Sequence, residues 1–214
     1  AHIPFKSETM DMVSSQFGIE YAGEQAMAEI ARLPRKGGKL ALVLHHSDGL
    51  IQQECAASAD AIERLIDSDL IPMALDMFEK GYAMLRGAGS NEFHSAARAI
   101  NPVYRSLEPI MDDHGVQVAG ETIETLYHRI AEIQKNLPRY EEKEVVDWLE
   151  AMASELPAYA DRMVAMCQSA QSPEQFKSFC THLSEMNYQI QQAHPQQVAD
   201  ATLPLAWMLV AERS

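Results

Sequence analysis

The sequence predicts an all-α fold, an irregular bundle of about seven or eight helices with proline kinks. Three observations lead there. Apolar residues recur at spacings of three and four along most of the 214 residues, the period of a helix with one buried face. Alternating Val/Ile runs and hairpin signals are almost absent, Asp48-Gly49 being the exception. Most of the ten prolines fall at the ends or middles of periodic stretches, where they stop or bend a helix.

Ser7-Glu-Thr-Met opens the first expected helix, capped by Ser7 or Thr9, with Met10, Val13, Phe17, Tyr21, Ala28 and Ala31 holding one face as far as Leu33-Pro34. Arg32, Arg35, Lys36 and Lys39 around Gly37-Gly38 form the basic cluster of the chain. Lys39–His45 reads as a buried strand or as the start of a helix. Leu40, Leu44, Ile51, Cys55, Ala59, Ile62 and Leu65 share one helical stripe, and a lone strand has no visible partner. The expectation is therefore a helix, kinked near Gly49 and ending around Ser68.

Asp69 starts the next helix with Pro72 in its first turn. Met73, Met77 and Met84 lie on one side and Phe78, Tyr82 and Leu85 on another, as suits a central helix. After Arg86-Gly-Ala-Gly-Ser-Asn a short helix carries Phe93, Ala97 and Ile100, and Pro102 and Pro109 divide the following stretch into pieces. A clean amphipathic helix follows from about Val118 to Leu137, stopped by Pro138. Another runs from Glu141 to about Ser169, kinked at Pro157. Ser172-Pro-Glu-Gln175 reads as a capping box with proline at the first helical position. It opens a helix over Phe176, Leu183 and Ile190, and a last helix carries Val198, Leu205, Met208 and Leu209. The expected organisation is one helical domain over 1–214, with a weak subdivision near 102–116.

Charge narrows the function classes. The formal balance is −14, and two windows hold most of it. Residues 47–81 carry eight acids against Arg64 and Lys80, and residues 119–161 carry ten against Arg129, Lys135, Arg139 and Lys143. Such faces repel nucleic acid and anionic lipid and favour a basic protein partner. No apolar run approaches the roughly 20 residues of a membrane span. The start of the chain shows no charged-then-apolar leader. Cys55, Cys167 and Cys180 are odd in number and widely spaced, as expected of small core residues in a reducing compartment. The cytoplasm is the expected location.

The chemistry-bearing clusters are few. Glu121, Glu124, His128 and Glu132 share one helix side, but opposite the Ile123/Ile130/Leu137 stripe, so they face water and are not expected to hold metal. His45-His46-Ser47-Asp48 has the residue types of a hydrolase triad, but sequence neighbours diverge and no nucleophile elbow exists. A pocket near His45/His46 or His94 is the enzyme or small-ligand alternative. Arg86-Gly-Ala-Gly-Ser-Asn lacks the strand and further glycine of a dinucleotide loop. The twelve methionines fill the core or line an adaptable groove. The leading expectation is a helical protein that acts by binding a basic partner, of toxin-neutralising, chaperone-like or anti-factor type. Asp60, Glu63, Asp67, Glu121, Glu124, His128 and Glu132 are its candidate contact residues. No cofactor, metal or catalytic residue is expected. A structural or oligomeric helical protein is the remaining alternative, with a homo-oligomer as its form.

Overall fold

A computed structural model describes residues 3–214. In chain order it contains β1 (Met10–Gln16), a 3-10 turn (Ile19–Ala22), α1 (Glu24–Ile30), β2 (Pro34–His45), α2 (Leu50–Asp67), α3 (Leu70–Leu85), α4 (Ser90–Arg105), α5 (Leu107–His114), α6 (Thr122–Lys135), α7 (Glu142–Ser169), α8 (Pro173–Glu185), β3 (Tyr188–Gln196) and β4 (Ala206–Arg213). Two compact units result. One holds the residues up to Cys55 together with Val164–Ser214, and the other is Ala56–Met163. The second unit is thus an insertion within the chain of the first, entered through α2 and left through α7.

The first unit overturns the all-α expectation. It is built on a four-stranded mixed sheet of order β1-β2-β4-β3. β1 runs parallel to β2, while β4 is antiparallel to both β2 and β3. The fold is therefore α/β, and the helical-bundle description applies to the inserted unit alone.

Side chains on β2 alternate as a strand requires. Leu40, Leu42 and Leu44 are at most 1% exposed, whereas Ala41 and Val43 are half-buried. Opposite them on β4, Trp207, Leu209 and Ala211 point the same way, in the register Leu40↔Ala211, Leu42↔Leu209, Leu44↔Trp207. Met27, Ile30 and Ala31 of α1 and its end, with Phe176 and Leu183 of α8, close over this face. The Ser172–Gln175 capping box opens α8 as expected, with both reciprocal hydrogen bonds formed.

All four strands lie where the sequence predicts helix: Met10–Gln16 near the start of the Ser7–Leu33 stretch, Lys39–His45 within β2, Tyr188–Gln196 in the stretch that carries Ile190, and Ala206–Arg213 around Met208 and Leu209. On β2 and β4 the opposite strand face is also partly apolar, so the period-2 signal is blurred. β2 does have partners, β1 and β4, but nothing near β2 points to them: β1 reads Met-Asp-Met-Val-Ser-Ser-Gln, and β4 lies beyond the whole inserted unit.

The inserted unit follows the periodicity closely. Phe78 and Met77 of α3, Ile100 of α4, Ile110 of α5, Ile123 and Ile130 of α6 and Leu149 of α7 are at most 2% exposed in one core. α3 is packed so closely that a Cβ on Gly81 would lie 2.5 Å from Leu137, which follows α6, and 3.0 Å from Phe93 of α4. At Pro102 proline is better tolerated than the sequence predicts, since α4 continues through it to Arg105. α7 runs on past Pro157 to Ser169, the extent expected for it. Among the described residues, no helix is long and apolar enough to cross a membrane.

Candidate functional site

Parallel strands present their carboxyl ends side by side, and in open α/β sheets that rim is where ligands bind. Here the rim is formed by the segment after β1, Phe17-Gly-Ile-Glu-Tyr21, and by the end of β2 with its turn, His45-His-Ser-Asp-Gly49. Phe17 holds a left-handed backbone (φ 51) while its N–H donates to Val43 O at 2.9 Å. For a bulky side chain that conformation costs on the order of 1–3 kcal/mol, a strain that clusters at functional sites.

The sharp turn at Phe17 sends Glu20 back under His45. Glu20 is 3% exposed. Its Oε1 accepts two hydrogen bonds, one from the His45 backbone N–H at 3.1 Å and one from His45 Nδ1 at 2.8 Å. Its Oε2 is buried with no partner among the described residues. An orphaned buried oxygen of this kind costs about 1–3 kcal/mol. Burial pushes the Glu20 carboxyl up, but the hydrogen bonds from His45 and from the backbone, with the charge of His45, outweigh it and hold the group below its usual 4.5. The carboxylate is therefore ionised at neutral pH. Phe17 lies against the His45 ring at 4.5 Å between centroids, and Tyr21 meets it edge-on at 5.7 Å.

His46 has the opposite character. Its ring stacks on Trp207 at 4.2 Å, and Phe176 stacks on Trp207 at 4.3 Å. Its Nδ1 accepts the Asp48 backbone N–H at 3.0 Å, so the proton of the neutral ring sits on Nε2. Burial lowers its pKa, only partly countered by Asp48. The turn is tied down from several sides. Gln171 N–H donates to His45 O at 2.8 Å, Ser47 N–H to Gln171 O at 3.1 Å, and the Trp207 indole N–H to the same Gln171 O at 2.8 Å. Gly49 closes it, because a Cβ there would lie 2.9 Å from Pro204 O and 3.0 Å from His46 O.

The residues singled out for partner binding lie elsewhere. Glu121, His128 and Glu132 are exposed and Glu124 is half-buried. Glu124, His128 and Glu132 line an open groove of about 500 Å³ with Thr125, Arg129 and Tyr140, whose hydroxyl donates to Glu132 at 2.8 Å. On α2, Asp60, Glu63 and Asp67 are exposed, and Asp60 accepts from His114 at 2.7 Å. His94 is exposed on α4. The Arg86–Asn91 loop joins α3 to α4 and follows no strand. Among the described residues no group of three or more His, Cys, Asp or Glu is arranged to hold a metal ion. The structure thus brings together the His45/His46 pair, and adds Glu20, Phe17, Tyr21, Gln171 and Trp207, which sequence reasoning passed over. The available signal was Gly37-Gly38 followed by alternating leucines, a turn into a strand.

No family model matches the chain, and no solved structure matches it. Over 155 residues it is 28% identical to a protein of Schizosaccharomyces pombe that is named an uncharacterized methyltransferase; the match covers 68% of this chain and 58% of that protein. The chain therefore spans less than two thirds of the length of the curated relative it matches. This similarity to a protein named as an enzyme overturns the expected role as a partner-binding regulatory protein. It favours instead the enzyme alternative.

Proposed function

We propose that the chain forms part of a methyltransferase, with its chemistry at the carboxyl ends of β1 and β2. The observation that carries the reaction class is the 155-residue similarity to the fission-yeast protein. The rim supports the location. It combines a buried ionised carboxylate, an orphaned oxygen and a strained backbone in one place. A methylsulfonium donor is a cation, and an ionised Glu20 beside the Phe17 and Tyr21 rings is a setting that favours cations. Such a donor supplies an electrophilic methyl group. Phe17 and Tyr21 would flank it, and Glu20 would supply the compensating charge. The thiols of Cys55, Cys167 and Cys180 are unpaired and pushed up by burial, which suits a reducing compartment, and the cytoplasm is the proposed location. The test is incubation of the protein with S-adenosylmethionine labelled in its methyl group and a metabolite extract. Label should move into extractable small molecules, and it should fail to do so with Glu20→Ala. Transfer no faster than in protein-free controls would overturn the proposal.

A further inference from the structure

Resting on that reading, we infer that Glu20 and His45 form a carboxylate–imidazole pair that removes the proton from the methyl acceptor, and that the acceptor is a hydroxyl or phenol and not a carboxylate. The pair has the geometry for it. His45 Nδ1 sits 2.8 Å from Glu20 Oε1, and the side chains are only 7% and 0% exposed. A carboxylate accepts and cannot donate, so the shared proton lies on Nδ1 and the lone pair on Nε2. Nε2 of His45 has no protein hydrogen bond among the described residues. A neutral imidazole held in this tautomer and orientation is placed to act as a general base. His46 cannot take the role, because its Nδ1 is occupied by Asp48 and its Nε2 carries the proton.

The orphaned Glu20 Oε2 is a second, independent sign that a ligand belongs here. It asks for a hydrogen-bond donor other than the acceptor's reacting hydroxyl, whose single proton goes to His45 Nε2. The surrounding titratable groups leave this polarity intact. Tyr21, Cys55 and Cys167 are all pushed up by burial and stay protonated at neutral pH, so the negative charges at the rim are the buried Glu20 and the exposed Asp48 on the turn. An anionic acceptor would be repelled, and it would need no base.

The step balances. The acceptor oxygen bonds to the methyl carbon while its proton passes to Nε2 of His45. The donor's carbon–sulfur bond breaks with its electron pair remaining on sulfur, which leaves as a neutral thioether. The imidazolium then loses its proton to water. His45 is the catalytic residue in this scheme and Glu20 the positioning residue.

The experiment offers the protein methyl-labelled S-adenosylmethionine with a simple phenol in one arm and benzoate in another. Wild type should methylate the phenol and leave benzoate untouched. His45→Gln should lose roughly 10²–10⁴-fold in kcat, and Glu20→Gln a smaller part of it with the KM for the phenol held and that for the cationic donor raised. Nitrogen-15 spectra of the histidines should show His45 protonated on Nδ1 in wild type and a mixture of tautomers in Glu20→Gln, a readout that loss of packing alone does not mimic. Thermal melts establish that both variants fold. Preferred methylation of benzoate, or full activity in His45→Gln, would overturn the inference while leaving the methyltransferase reading standing. No transfer by wild type to any acceptor would sink that reading first. A wild-type His45 protonated on Nε2 overturns the pair even if no variant folds.

Discussion

The sheet unit and the inserted helical unit handle polar groups in opposite ways. Of the buried polar or charged residues among those described, Glu20, His45, His46 and Gln171 belong to the sheet unit, and only Ser58 to the helical one. The helical unit instead carries its acids outside, where they meet basic neighbours, as in Lys80–Asp76 and Arg64–Asp113 at 2.7 and 2.8 Å. Exposed pairs of this kind contribute about 0–1 kcal/mol each. A buried polar group costs more than that unless it is satisfied. The density of charge along a sequence and the burial of polar groups are therefore different quantities, and here they point to different units.

Core truncation in each unit should give the largest effects and tests whether both are equally well packed. Leu42→Ala in β2 and Ile130→Ala in α6 each remove a fully buried side chain and should cost about 2–5 kcal/mol, measured by urea unfolding. A loss below about 1 kcal/mol for Leu42 would mean that the sheet face is not a packed core. Gly49→Ala should come next, at about 1–3 kcal/mol, since its Cβ presses on two carbonyl oxygens. It should also disturb the His46–Trp207 stack, seen as a change in tryptophan fluorescence. An unaltered spectrum at wild-type stability would refute the tight turn.

pH dependence sharpens the contrast further. His46 is lowered when folded, so the folded chain resists its protonation. The stability it contributes is complete above about pH 6.5 and falls as pH drops toward the lowered folded value. Glu20 is also lowered, and its contribution is present above about 4.5 and lost as pH falls through the folded value. Melting temperatures recorded from neutral to acidic pH should fall more steeply for wild type than for His46→Gln, and parallel curves would count against a buried neutral His46. The smallest effect belongs to the helical surface. Glu132→Ala should change stability by no more than about 0.5 kcal/mol; a clearly larger change in a thermal melt would show that the Tyr140–Glu132 bond matters to the unit.

The same contrast governs what was legible in the sequence. Helix contacts lie three and four residues apart, so Ile123, Leu126, Ile130 and Ile133 announce α6 within one window. Strand contacts are made with partners far away. Leu42 meets Leu209 across the whole insertion, and nothing near Leu42 reveals it. The capping box at Ser172 is local and was readable. The Glu20–His45 bond spans 25 residues, with α1 and β2 between its partners, so it was not. His45 and His46 were visible as a pair, but their opposite tautomers depend on Glu20 and on the Asp48 backbone, which only the fold brings to them.

The placement of β4 between β2 and β3 also has a consequence in time. The ribosome releases β2 long before it makes residues 206–213, and until then β2 lacks its antiparallel neighbour. Leu50 N–H and the Gly49 turn likewise wait for Pro204. The helical insertion, whose contacts are short in sequence, is free to fold during that interval. The two-histidine rim is then among the last parts of the molecule to take shape. A chain stalled before Trp207 would have its helices formed and the rim unbuilt.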